Sequence, residues 1–175
     1  MARIFTSGAL ALLLSGCGSS GDAGNFISDE VDINVALAGN GATTSATYDS
    51  PQASVTIDGN DSTSLFWAGN ITGDSITIDF GSSKVLRQLD IYTNDANLGE
   101  LNASKIVELS TDNATWNTTA ETSGGAITCQ QLNSSGGHTL CSYNSRQSAR
   151  YIRITIEALT AIGLENVHEI QATGF

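Results

Sequence analysis

Apolar and polar positions alternate with a period of two along most of this chain, the pattern of strands that bury one face. In residues 75–80, Ile76, Ile78 and Phe80 share a face, and Gly81 ends the run. Residues 85–92 form a second such run, with Leu89 and Ile91 near its buried middle. The clearest strand is 149–156, where Ile152, Ile154 and Ile156 oppose Tyr151 and Arg153. Weaker runs cover 31–37, 42–48, 54–57, 104–110 and the closing segment 167–175, and Thr115-Trp116 opens one more. Residues 126–132 and 138–143 pair as a hairpin around Asn133-Ser-Ser-Gly-Gly137. No stretch has a convincing helical period. About nine short strands at regular spacing predict an all-β antiparallel sandwich rather than a parallel sheet.

The run 54–57 feeds into Asp58-Gly59-Asn60-Asp61-Ser62-Thr63. Asp-Gly marks a turn, because Gly accepts positive φ and Asp hydrogen-bonds its own backbone. Such a concentration of carboxylate, amide and hydroxyl oxygens suits a hard cation, and calcium takes six to eight oxygens at roughly 2.3–2.6 Å. It equally suits a polar turn that holds only water, since the EF-hand spacing is missing.

Composition narrows the choice further. The 175 residues suffice for one domain with its own core. A net charge of −11 with only seven Lys and Arg argues against nucleic acid and against direct attraction to anionic lipid. No GxSxG, P-loop or HExxH motif occurs, and the two histidines, His138 and His168, stand far apart. No pair of carboxylates is singled out for glycoside hydrolysis. A non-enzymatic protein is expected.

Residues 1–16 read as a signal peptide, with Arg3 as the positive start and 4–14 as an apolar run too short to span a membrane. Leu14-Ser15-Gly16-Cys17 resembles the lipobox of bacterial lipoproteins, which implies lipidation of Cys17. The alternative is an ordinary secretory signal. Gly18 after the Cys implies the outer membrane of the cell envelope, on its periplasmic or surface-facing side. Loss of Arg3 with the signal takes the charge from −11 to −12. Residues 17–30 are Gly- and Ser-rich and read as a flexible tether, which leaves 31–175 as the folded domain. With Cys17 lipidated, Cys129 and Cys141 remain as an even pair in an exported chain. A disulfide between them closes a loop of about a dozen residues and contributes on the order of 3 kcal/mol; two free thiols are the alternative.

Six short motifs in order resemble the discoidin, or coagulation factor five/eight type C, family, which includes the family 32 carbohydrate-binding modules. They are Asn34-Val-Ala-Leu37 with Ala42-Thr-Thr-Ser45; Asp58-Gly59-Asn60 with Thr63 and Trp67; Ile76-Thr-Ile-Asp-Phe-Gly81; Glu108-Leu-Ser-Thr-Asp-Asn-Ala-Thr-Trp116; Ala149-Arg-Tyr-Ile-Arg-Ile154; and His168-Glu-Ile-Gln-Ala. The resemblance spans 33–175, although Trp67 stands two residues further from Thr63 than the family pattern places it. It implies a jelly-roll sandwich of the galactose-binding-domain-like type.

It also implies structural calcium held by Asp58, Thr63, the carbonyls of Val55 and Asn60, and Glu169. The alternative is an empty loop with Glu169 paired to Arg87, Arg150 or Arg153. Trp67 and Trp116 are expected in the core or at loop bases. Carbohydrate is expected at loops on one end of the sandwich, where an exposed aromatic ring meets the C–H groups of a sugar and polar side chains meet its hydroxyls. Tyr48, Phe66 and Tyr143 are the candidate rings, and Asn97, His138 and Arg146 the polar partners, with Asn70, Asp95 and Asn144 behind them. The rival readings are a protein-interaction or adhesion domain at the cell surface and, less in keeping with the charge, phospholipid binding. Apart from the lipid anchor no membrane contact is expected.

Overall fold

The computed structural model describes residues 30–61, 64–93, 105–120, 127–133, 138–156 and 166–175. It contains β1 (Ile33–Asn34), β2 (Thr43–Ala46), β3 (Trp67–Ala68), β4 (Ser75–Thr93), β5 (Lys105–Ser110), β6 (Asn117–Ala120), β7 (Ile127–Asn133), β8 (His138–Ile156) and β9 (Asn166–Gly174). The signal peptide, Cys17, nearly all of the tether and Asn97 lie outside the described residues.

The frame is an antiparallel ribbon of β4 and β8, paired from Ser75↔Thr155 to Tyr92↔His138. Its register shifts between Asp79 and Lys84 and again between Leu86 and Gln88. Gly81, at φ +76°, sits at the first shift, where an L side chain would be strained. Irregularities of this kind bend a ribbon. The half up to Asp79 lies between β2 and the β5–β6 pair, whereas the half from Lys84 lies between β7 and β9, with β1 and β3 on β9. Two sheets thus share one bent ribbon and enclose one core as a β-sandwich. Ile76, Ile78 and Phe80 enter that core from the first half, and Leu89 and Ile91 from the second.

The runs 75–80 and 85–92 are therefore two halves of one strand, and so are 138–143 and 149–156. Two other expectations fail. Residues 54–57 are not a strand but the end of a 3₁₀ helix, Ser50–Ile57. Asp49 in the left-handed region and Pro51 in the first turn start it, and the Thr56 hydroxyl donates to Ala53 O at 2.8 Å. Its buried positions are Ala53, Thr56 and Ile57, a helical spacing that the apparent alternation of Val55 and Ile57 conceals. The strand expected over 31–37 shrinks to two residues, because Val35 and Ala36 are both buried in succession. Asn34 Oδ1 there accepts the backbone N–H groups of Ala36 and Ala172 in place of ladder bonds.

Cys129 lies opposite Cys141 in the β7–β8 ladder. Cys141 is buried and disulfide-bonded.

Candidate functional site

One end of the sandwich gathers the turn after β2, the approach to β3, the turn before β4 and the start of β9. Trp67 organises it. Its side chain is fully buried, and its indole N–H donates to Tyr48 O at 2.7 Å, pinning the β2 turn over the core. Asp74 ties the next turn down. One carboxylate oxygen accepts the N–H groups of Asn70 and Ile71, and the other accepts the Thr47 hydroxyl. Burial opposes ionisation of Asp74, but those bonds outweigh it and hold its carboxyl below the usual range.

On this support stand four exposed apolar side chains: Tyr48 (46% exposed), Leu65 (53%), Phe66 (37%) and Ile71 (58%). The Phe66 ring lies 5.6 Å from the ring of buried His168. Tyr48 and Phe66 thus come together at the expected end. Leu65 and Ile71 were not singled out from the sequence, where lone apolar residues in polar turns carry no period. Asp74 was missed as well, because its partner Thr47 is 27 residues away.

Of the other expected ligand residues, His138 stands at the start of β8 in one row with Tyr92 and Glu169, while Tyr143 and Arg146 lie further along β8. His138 is on the outer face of the second sheet, stacked on Tyr92 (centroids 4.2 Å apart, planes within 6°). Its Nε2 is 2.8 Å from Asp90 Oδ1, and Asp90 also accepts from Gln88. Tyr143 packs against the core with its hydroxyl buried, so it is no exposed platform. Arg146 lies over the Phe175 ring at 5.5 Å. It is eight residues along β8 from His138, roughly 25 Å of strand, because β8 runs away from the loop end. Trp116 is half-buried, with the Arg153 guanidinium 4.1 Å from its ring centre.

The expected metal residues divide in a similar way. Asp58 caps the 3₁₀ helix, and its carboxylate accepts Asn60 N–H at 2.8 Å. Gly59 at φ +87° turns its N–H toward Glu169, where Oε2 accepts it at 3.2 Å. Val55 is half-buried on the helix, and Thr63 lies outside the described residues. Glu169 is fully buried, and among the described residues its Oε1 has no hydrogen-bond partner. The three arginines of the alternative pairing are engaged elsewhere, Arg87 with Asp32, Arg150 with Asp79 and Arg153 with Glu108. Burial, reinforced by the charges of Asp58 and Asp61, pushes the Glu169 carboxyl up to about 7, against the bond from Gly59. The Tyr92 hydroxyl is raised too, by burial and by the charges of Asp90, Asp61 and Glu169.

Among the described residues no three His, Cys, Asp or Glu side chains converge as a metal site. A buried carboxylate oxygen left unpaired among the described residues, under the charges of Asp58 and Asp61, nevertheless fits a cation. The other ligands would have to be backbone carbonyls, as the sequence resemblance implies.

The family model described as "F5/8 type C domain" matches residues 40–170. Several solved structures share the fold. The module CpGH89CBM32-6 of Clostridium perfringens has a TM-score of 0.63 at 18% identity, over 82% of this chain and 100% of that one. The family 32 module of Clostridium perfringens NanJ, solved with galactose, has 0.61 at 18%, over 82% and 99%. The chitosan-binding module 1 from a chitosanase/glucanase of Paenibacillus sp. IK-5 has 0.60 at 21%, over 81% and 98%. No curated protein sequence matches the chain.

Proposed function

The chain belongs to the F5/8 type C domain family, and from that premise we propose that it is a non-catalytic carbohydrate-binding protein. Its ligand sits at the loop end built on Trp67. The observation that carries this reading is the exposure of Tyr48 and Phe66 at one end, on a support fixed by Trp67 and Asp74. Aromatic faces presented on rigid turns bind sugar C–H groups at little cost in ordering. Structural neighbours solved with galactose and with 4,5-unsaturated mannuronic acid lend support through a shared fold. Affinity for one site is modest, and several anchored copies raise it through avidity.

Calcium belongs to the same reading as a structural ion. Glu169, Asp58 and the carbonyls of Val55 and Asn60, with Thr63, would hold it. When bound it would supply positive charge to the buried Glu169 and cross-link β9 to the 58–61 turn. A Cys129–Cys141 bridge, lipidation of Cys17 and placement at the outer membrane complete the proposal; the last two rest on the N-terminal sequence alone.

The test is a glycan array probed with the chain in calcium, side by side with its Tyr48→Ala and Phe66→Ala variants. Selective binding that free sugar competes away and that both variants lose supports the reading. A blank array from folded protein overturns it. A second reading, a protein-adhesion surface at the same end, is favoured by the exposure of Leu65 and Ile71 beside the two rings. It predicts capture of an envelope protein that sugars do not compete.

A further inference from the structure

We propose a second binding site, for one uncharged sugar ring, on the outer face of the first sheet. A groove of about 200 Å³ lies there, lined by Thr43, Ser45, Thr77, Asp79, Asn113 and Tyr151, with Thr44 at its margin. The strand register explains the grouping. Thr43, Asp79 and Tyr151 form one row across β2, β4 and β8, and Ser45 and Thr77 begin the next. All point away from the core face that carries Ile76, Ile78, Ile152 and Ile154.

The wall is Asn113, held at φ +60° by a turn with little freedom. Ser110 Oγ accepts the N–H groups of Asp112 and Asn113, and Asp112 Oδ1 accepts those of Ala114 and Thr115. A non-glycine residue in the left-handed region needs such support, and the support here aims a side-chain amide at the groove.

Three features choose the ligand. Among the described residues the only ionised group in the lining, Asp79, is already matched by Arg150 through two 2.8 Å bonds, so those residues offer no spare charge for a cation or an anion. Its other groups are hydroxyls and an amide, which both donate and accept, as a sugar's hydroxyls require. The Tyr151 ring, with the Arg150 guanidinium 4.9 Å from its centre, offers the apolar component. The volume lies below the roughly 300 Å³ where sites for drug-sized ligands begin, which restricts the occupant to one small ring. A Thr-rich outer face also follows from β-propensity alone, and this is the outcome the test must separate.

This site is independent of the loop-end reading. The full chain, ¹⁵N-labelled in a detergent without a sugar headgroup, is titrated in turn with galactose, N-acetylgalactosamine, glucose and mannose. With at least one of them, the amides of Ser45, Thr77, Asn113 and Tyr151 shift in a saturable way. Thr77→Val and Asn113→Gly each weaken that response roughly fivefold, the worth of one hydrogen bond. Asn113→Gly keeps the turn, because Gly accepts positive φ freely. Tyr48→Ala leaves the groove response unchanged. Shifts confined to the loop end would overturn the groove and support the loop-end site. Groove shifts alone would do the reverse for these sugars. No groove response to any of the four, or a response that neither variant weakens, also overturns the proposal.

Discussion

Glu169 accepts the Gly59 N–H on one carboxylate oxygen and, among the described residues, leaves the other buried without a partner. The two residues are 110 apart in sequence, so this contact joins the last strand to the turn after the 3₁₀ helix. A buried acid with a raised folded-state value destabilises the fold once it ionises. In the metal-free chain, the stability that Glu169 contributes is therefore fully present below its ordinary value of 4.5 and is lost as pH rises toward about 7. The whole effect is on the order of 3 kcal/mol at most. Calcium held as proposed should reverse it. At a hundredfold excess over Kd a ligand stabilises by roughly 2.7 kcal/mol, which for a domain of this size raises Tm by about 5–10 °C. Thermal melts of wild type and Glu169→Gln, with calcium and with chelator, decide the matter. The variant should lose the calcium shift and the pH slope together. An equal calcium shift in both proteins would place the cation elsewhere.

At the loop end, truncating Tyr48 or Phe66 to Ala should cut sugar affinity at least about tenfold, as loss of a stacking anchor does. Phe66 also touches His168, so melts must confirm that the fold is retained. Tyr143→Phe and Arg146→Ala should bind as wild type, since one side chain packs on the core and the other lies over Phe175. Calorimetric titration with a sugar selected on the array checks all four. Loss of binding in Arg146→Ala with none in Tyr48→Ala would move the site away from the loop end.

What could be read from the sequence was what depends on neighbours two residues apart. Ile76, Ile78 and Phe80 announce their strand because all three face one core. The same rule misread 54–57, where Pro51 and Asp49 had already set a 3₁₀ path and burial follows Thr56 and Ile57. It also split β4 and β8 in two, because a bend at a register shift interrupts alternation without interrupting the ladder. At the candidate site, Tyr48 and Phe66 were legible as rings in polar turns. The tie of Asp74 to Thr47 and the groove assembled from residues 43–45, 77, 79, 113 and 151 had no local trace, because only the fold brings those segments together.

Acid should unfold the domain over a definite window. The Asp79 carboxyl is held low chiefly by its bonds from Arg150, and that of Asp112 is held at about 2 by the N–H groups of Thr115 and Ala114. Asp74 is lowered as well. Groups depressed in the folded state add stability above their ordinary value of 3.8 and lose it as pH falls through their folded values. Urea midpoints should therefore decline below about pH 4 and go on declining to about pH 2. Asp74→Asn should flatten part of that decline. It should also cost about 1–3 kcal/mol at neutral pH, because an amide nitrogen replaces one of the accepting oxygens. A midpoint constant down to pH 2 would mean that these bonds persist in the unfolded chain.

At Gly174 the last strand passes close to another backbone. It pairs with Leu86 on one side and Ile33 on the other, and Phe175 exchanges both backbone hydrogen bonds with Val85. A Cβ on residue 174 would collide with the Val85 carbonyl oxygen, which the two-way bond to Phe175 keeps from moving aside. Flexible side chains relieve such clashes cheaply, but a laddered backbone cannot. Gly174→Ala should therefore destabilise by about 2 kcal/mol or more and lower Tm by roughly 4–8 °C. Gly39→Ala is the control. A Cβ there meets only the Leu37 side chain at ordinary distance, 3.7 Å, so its melt should overlay the wild type. The damage from Gly174→Ala should extend beyond the C-terminus. β9 also carries Glu169, so any slip in its register pulls that carboxylate from Gly59 and should weaken the calcium shift as well. If Gly174→Ala melted with the wild type and kept the full calcium response, the close approach of β9 to β4 would not be what holds Glu169 in place.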